Sequence, residues 1–69
     1  MKYVMFDNIF PVLFPDDIPH CDVKVEGMKP TSAGHYSEIG PYGESETLGL
    51  SAEPQDDRII KDLFVALIR

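Results

Sequence analysis

T-S-A-G-H-Y-S-E-I-G-P-Y-G-E-S-E-T-L-G-L, residues 31–50, reads as two strands joined by a glycine-proline turn, and it runs straight into an apolar helical pattern. Its first half is built from small residues, among them Ser32, Ala33, Gly34 and Ser37. A glycine inside a strand, here Gly34, marks a bulge or a place where something approaches the backbone closely. Gly40-Pro41-Tyr42-Gly43 carries turn chemistry. The return strand, 44–50, would put Glu44, Glu46, Leu48 and Leu50 on one face and Ser45, Thr47 and Gly49 on the other. That face starts acidic at the turn and becomes apolar toward the helix.

Downstream, Ser51 can cap the helix, or Glu53 can precede Pro54 at its first position. Glu53, Asp56 and Asp57 suit the positive end of the helix dipole. Ile59, Ile60, Leu63, Phe64, Leu67 and Ile68 recur with helical period as a wide stripe, which predicts a helix packed on the sheet and touching a partner.

Upstream, residues 2–6 have strand composition, and Asp7-Asn8 tolerates the positive φ of a tight hairpin turn. Residues 9–14 form the return strand. Pro11 cannot donate to a ladder, so this strand belongs at an edge or a bulge. Its apolar residues predict cover on both faces by the helix or another subunit, because a bare apolar edge aggregates. Asp16 or Asp17 is placed to cap a short helical turn with Pro19 inside it. In 20–26, Val23 and Val25 alternate with Lys24 and Glu26, a strand-like pattern too short to decide. Residues 27–30 read as a connector. The expected fold is α+β: one domain over 1–69, with a small antiparallel sheet of about four strands covered on one face by a single C-terminal helix.

Sixty-nine residues support only a small core, so added burial through a homo-oligomer is expected. Cys21 is the one cysteine, which excludes an internal disulfide and fits a reducing, cytoplasmic location. No secretory h-region follows Met1, and no run approaches the roughly 18 apolar residues that span a bilayer. A net charge of −6 argues against direct nucleic-acid binding, which needs clustered Lys and Arg.

The charge is also localised. Glu38, Glu44, Glu46, Glu53, Asp56 and Asp57 fall within 30–57, where there is no Lys or Arg, and they equal the net charge of the chain. These six are the candidate protein-binding residues, facing a partner protein with a basic surface. An alternative set, Ser32, Gly34, His35, Tyr36 and Ser45, offers hydroxyls and backbone to a small nucleotide-like molecule at an inter-subunit pocket. Surrounding acids oppose an anion there. No catalytic apparatus is recognisable: His20 and Cys21 are adjacent in an extended segment and point apart, and Thr47 breaks a G-x-S-x-G elbow. His20, Cys21, Asp22 and His35 lack zinc-ligand spacing, so no metal and no cofactor is expected.

Ser32-Ala33-Gly34, then Gly43-x-Ser45-x-x-Leu48-Gly49-Leu50, then Pro54-x-Asp56 before the apolar helix, form a pattern with Phe14, Pro15 and His20 upstream. It resembles small phage and prophage proteins that carry no established chemistry. The resemblance spans most of the chain. It implies a non-enzymatic accessory protein of a phage or mobile element, an inhibitor of a host defence protein acting in the host cytoplasm. A sponge for a nucleotide-like signal is the alternative, and a plain interaction module the second. No catalytic residue is carried over by it.

Overall fold

β1 (Lys2–Phe6) is the strand on which the others are laid. In the computed structural model, which describes residues 1–67 (Leu67 by its backbone alone), β1 pairs antiparallel with β2 (Phe10–Phe14) on one side and β3 (Pro30–Ser37) on the other. β4 (Gly40–Tyr42) joins β3, giving the sheet order β2-β1-β3-β4. Tyr3, Val4, Met5 and Phe6 are all buried, so both alternating faces of β1 are covered. A strand with two apolar faces belongs in the middle of a three-layer arrangement. The fold is α+β, with one helix, α1 (Asp56–Leu67), after the strands.

The two faces are closed differently. Tyr3 and Met5 form a cluster with Ile60 of α1, joined by Leu13, Tyr36, Ala52 and Ile59. Val4, Phe6, Phe14 and Ala33 form a second cluster on the opposite face, packed by Val12, Val23, Val25, Met28, Leu48 and Leu50. Irregular chain and a short ladder, rather than a helix, supply that second cover. The strand around Pro11 is thus covered on both faces except at exposed Phe10, and it lies at the sheet edge as the missing N–H requires.

Local chemistry sets the first hairpin. Asp7 and Asn8 both have positive φ (53° and 60°), and Ile9 N–H donates to Phe6 O at 3.1 Å. Pairing of Phe6 with Phe10 leaves three residues in the loop, one more than the tight turn expected. The loop is tied to the connector: Asp7 N–H donates to Lys29 O (2.9 Å) and Lys29 N–H to Asp7 Oδ1 (3.0 Å). The one register shift between β1 and β3 lies between Met5 and Phe6, where Thr31 Oγ1 donates to Met5 O at 3.2 Å. Gly34 lies in regular pairing opposite Tyr3, so it is not the bulge.

Residues 38–51 correct the sequence reading most. The turn is Glu38-Ile39, since Ser37 pairs with Gly40, and Gly40-Pro41-Tyr42 is strand rather than turn. Residues 44–50 do not form one return strand. They double back as β5 (Glu44–Ser45) and β6 (Leu50–Ser51), a separate two-stranded ladder. Ser45 causes this: its Oγ accepts from Leu48 N–H (3.2 Å) and its carbonyl from Gly49 N–H (2.9 Å), with Gly49 at φ 66°. Serine side chains compete for backbone groups in this way and close turns.

Three smaller findings follow. His20–Asp22 is a 3₁₀ turn, with Pro19 as its cap residue and no side-chain cap, so neither Asp16 nor Asp17 caps it. Residues 23–25, which the short alternation left undecided, are irregular. The apolar stripe of α1 is buried only in part: Ile60 is fully buried, Phe64 is exposed as is Val65 beside the stripe, and the Leu67 side chain and Ile68 lie outside the described residues. No helix among the described residues is long and apolar enough to cross a membrane.

Gly34 serves close approach. A Cβ there would meet Tyr42 O at 2.6 Å and Ala52 Cβ at 3.1 Å, contacts made with backbone and with a residue that seats α1. Gly34→Ala should therefore destabilise by about 1–3 kcal/mol, the usual cost of overpacking. Urea unfolding checks it; an unchanged midpoint would show that β4 and Ala52 are not held against β3.

Candidate functional site

Two polar constellations stand out, one on each face of the sheet. On the helix face, Asp56 is 1 % exposed and its Oδ2 accepts three hydrogen bonds: from Tyr3 OH (2.5 Å), Ser32 Oγ (2.6 Å) and Glu53 N–H (3.2 Å). The last has capping-box geometry, with Asp56 at the start of α1 reaching back three residues to the Glu53 N–H in the turn that precedes the helix. Burial of a carboxylate is costly unless hydrogen bonds replace its water, and here they do. Burial pushes Tyr3 far above the ordinary tyrosine range, and the hydrogen bond to Asp56 and that carboxylate's charge push the same way. Next door, Tyr36 OH donates to Asp57 Oδ1 at 2.9 Å and Lys61 Nζ lies 3.0 Å from Asp57 Oδ2. Hydrogen bonds from Lys61 and then Tyr36 hold Asp57 below the ordinary carboxylate range.

On the other face a cavity of about 350 Å³ opens among Lys2, Asp17, His20, His35, Glu44 and Glu46. Pro19, Ser45 and Thr47 complete its wall. His20 is 5 % exposed, and its Nε2 lies 2.9 Å from Gly34 O. A carbonyl only accepts, so Nε2 carries a proton, and in the neutral ring Nδ1 is left as an acceptor. The ring stands edge-on to Phe14 (5.4 Å) and to His35 (6.0 Å), and His35 stacks on Tyr42 at 5.4 Å. Lys2 Nζ donates to Ile18 O at 3.0 Å.

The six candidate acids are not equivalent. Asp56 is a buried internal anchor and cannot meet a partner, and Asp57 is largely taken by Tyr36 and Lys61. Glu38, Glu44, Glu46 and Glu53 are exposed, with no side-chain hydrogen bond or ion pair among the described residues. Basic residues from outside 30–57 return to this region: Lys61 to Asp57, and Lys2 to the wall shared with Glu44 and Glu46. One signal could have separated Asp56 beforehand. It lies four residues before Ile60, in phase with the buried stripe, whereas Asp57 does not.

The alternative five do not converge either. Strand alternation sends Ser32 and Tyr36 to the helix face, where each is bonded to an aspartate, while His35 lines the cavity on the other. Gly34 is packed under Tyr42 and Ala52, and the Ser45 hydroxyl is taken by its own turn. Only His35 and Ser45 share a wall. Sequence reading also missed an apolar groove of about 620 Å³ lined by Phe6, Cys21, Val23, Val25, Met28 and Leu48. Its trace was the alternation of Val23 and Val25, which had pointed to a strand. Cys21 is exposed, and its Sγ contacts Asp22 Oδ1 at 3.8 Å rather than a histidine. Among the described residues no three His, Cys, Asp or Glu side chains are grouped to hold a metal ion. No protein-family model, curated protein or solved structure matches this chain.

The Tyr3–Asp56 bond has a defined pH signature. Tyr3 titrates higher when folded than unfolded, so its contribution is complete below about pH 10, the unfolded tyrosine value, and drains away as pH rises above it. Denaturant midpoints measured up the alkaline limb should fall in the wild type, and Tyr3→Phe should flatten that fall while lowering stability at neutral pH. Parallel alkaline limbs in the two proteins would contradict the assignment.

Proposed function

We propose that this chain is a non-enzymatic binding protein whose working surface carries Glu38, Glu44, Glu46 and Glu53 and meets a basic face on a partner protein. One observation carries the reading. Folding uses Asp56 and Asp57 for internal hydrogen bonds and an ion pair, but leaves these four glutamates solvated and unpaired among the described residues. A solvated carboxylate adds little to stability, so the four are free to act on association instead. The resemblance to small phage proteins supports a narrower form, in which the partner is a host defence protein and binding inhibits it in the host cytoplasm. Self-association belongs to the same proposal, supported by exposed Phe10 at the β2 edge and exposed Phe64 and Val65 on α1. The five residues of the nucleotide-like alternative are divided between the two faces of the sheet within one chain, so that reading needs a second copy to complete its pocket.

The test uses the wild-type chain and a variant with all four glutamates changed to glutamine as baits in bacterial host lysate. A partner should be retained by the wild type and released as the screening length shortens from about 10 Å at 0.1 M salt to about 3 Å at 1 M. The variant, with an unchanged circular dichroism spectrum, should not retain it. Equal retention by both proteins, or retention insensitive to salt, would rule out an acidic working surface.

A further inference from the structure

We propose that proline closes both edges of the four-stranded sheet to strand addition, so that this chain associates through side-chain faces and never through a shared backbone ladder. The bar to pairing is independent of the acidic surface.

Backbone direction is the first argument. Along a strand in an antiparallel sheet, successive residues bond alternately to the two sides. Tyr36 N–H donates to Met1 O at 2.7 Å, which turns the odd residues of β1 toward β3 and its even residues toward β2. Lys2, Val4 and Phe6 therefore bond to Phe14, Val12 and Phe10. Pro11 and Leu13 face out from the β2 edge, with Pro15 next in line. The alternation carries across β3, whose odd residues His35 and Ser37 bond to Tyr42 and Gly40, leaving Pro41 facing out from β4.

The second argument is the supply of donors. An added strand is held by main-chain bonds, and the edge that receives it must offer an N–H at every second residue. At the β2 edge Ile9 N–H is taken by Phe6 O (3.1 Å), and Pro11 and Pro15 have none, so Leu13 supplies the one outward donor. Pro15 O is also taken, by Ile18 N–H at 3.2 Å. At the β4 edge Pro41 has no N–H, Ile39 N–H donates to Ser37 Oγ at 3.4 Å, and Gly43 O accepts from Ala52 N–H at 3.0 Å. Three of the six prolines thus lie where they remove no bond from the sheet and deny one to a newcomer. The flanks explain the need: Phe10 beside one edge and Tyr42 on the other are exposed, and apolar side chains make an open edge adhesive. Association is left to exposed side chains such as Phe64 and Val65 on α1.

The experiment follows amide hydrogen exchange and sedimentation of the ¹⁵N-labelled full chain, with Pro11→Val to open one edge and Pro41→Thr to open the other. In the wild type the Val12 and Phe14 amides should be protected and the Leu13 amide should exchange freely, at every protein concentration. Pro11→Val should form larger species as concentration rises and slow the Leu13 amide about tenfold, as a ladder bond closes over it. Pro41→Thr should form larger species through β4. Wild-type protection at Leu13 equal to that at Val12 would overturn the proposal, as would unchanged mass in both folded variants. Should Pro11→Val not fold, Pro41→Thr and the wild-type exchange pattern decide alone. The four-glutamine variant should keep the wild-type exchange pattern whether or not it loses its partner, which separates the closed edges from the acidic-surface reading.

Discussion

The fold depends on where one carboxylate goes. Asp56 carries its charge inside, at the junction of β1, β3 and the start of α1, and a single oxygen accepts from Tyr3, Ser32 and Glu53 N–H. The first two come from adjacent strands of the sheet and the third from the turn that begins the helix. The contact therefore sets the distance of α1 from the sheet and the rotation of the helix about its axis. With Asp56 inward, Ile60 one turn later falls onto Tyr3 and Met5 and is fully buried. Removing any donor leaves the others in place, but removing the acceptor strands three polar groups, each costing about 1–3 kcal/mol when buried and unpaired. In a domain of this size that is a large share of the total stability.

The same constraint sorts the acidic residues. Asp56 is consumed by the core, and Asp57, one position further round the helix, is drawn toward Tyr36 and Lys61. The remaining glutamates stay in water because the elements that carry them are turns and ladder ends: Glu38 in the β3–β4 turn, Glu44 and Glu46 around β5, Glu53 before α1. An apparently uniform acidic stretch thus divides into an anchor, a partly paired neighbour and a solvated set. Only the last is available to a partner. The His20 cavity lies on the face of the sheet away from the helix.

How much of this could be read from the residues follows from how local each cause is. The β1–β2 hairpin was legible because Asp7 and Asn8 accept positive φ and Pro11 excludes a central position. The helix was legible from its period, although it starts at Asp56, two residues past the expected Pro54. Residues 38–51 were misread because two signals competed there. Gly40-Pro41-Tyr42-Gly43 has turn composition, yet the turn forms at Glu38-Ile39, and the serine-closed turn at Ser45 folds 44–51 back on itself. The division of the candidate ligand residues was in principle readable, since Ser32, Gly34 and Tyr36 share a parity in β3 that His35 does not. The Asp56 contact was harder to read. It joins residues 53 positions apart, and the phase of the apolar stripe turns Asp56 inward without naming the donors that meet it there.

The most direct measurement is a double-mutant cycle on Tyr3→Phe and Asp56→Ala, read by urea unfolding at neutral pH. If the carboxylate ties β1 to the helix as described, the two changes are coupled by about 1–3 kcal/mol, the range for buried groups in one network. Additivity within about 0.5 kcal/mol would mean that the two side chains do not share the contact, and the account of how the helix is held would be wrong.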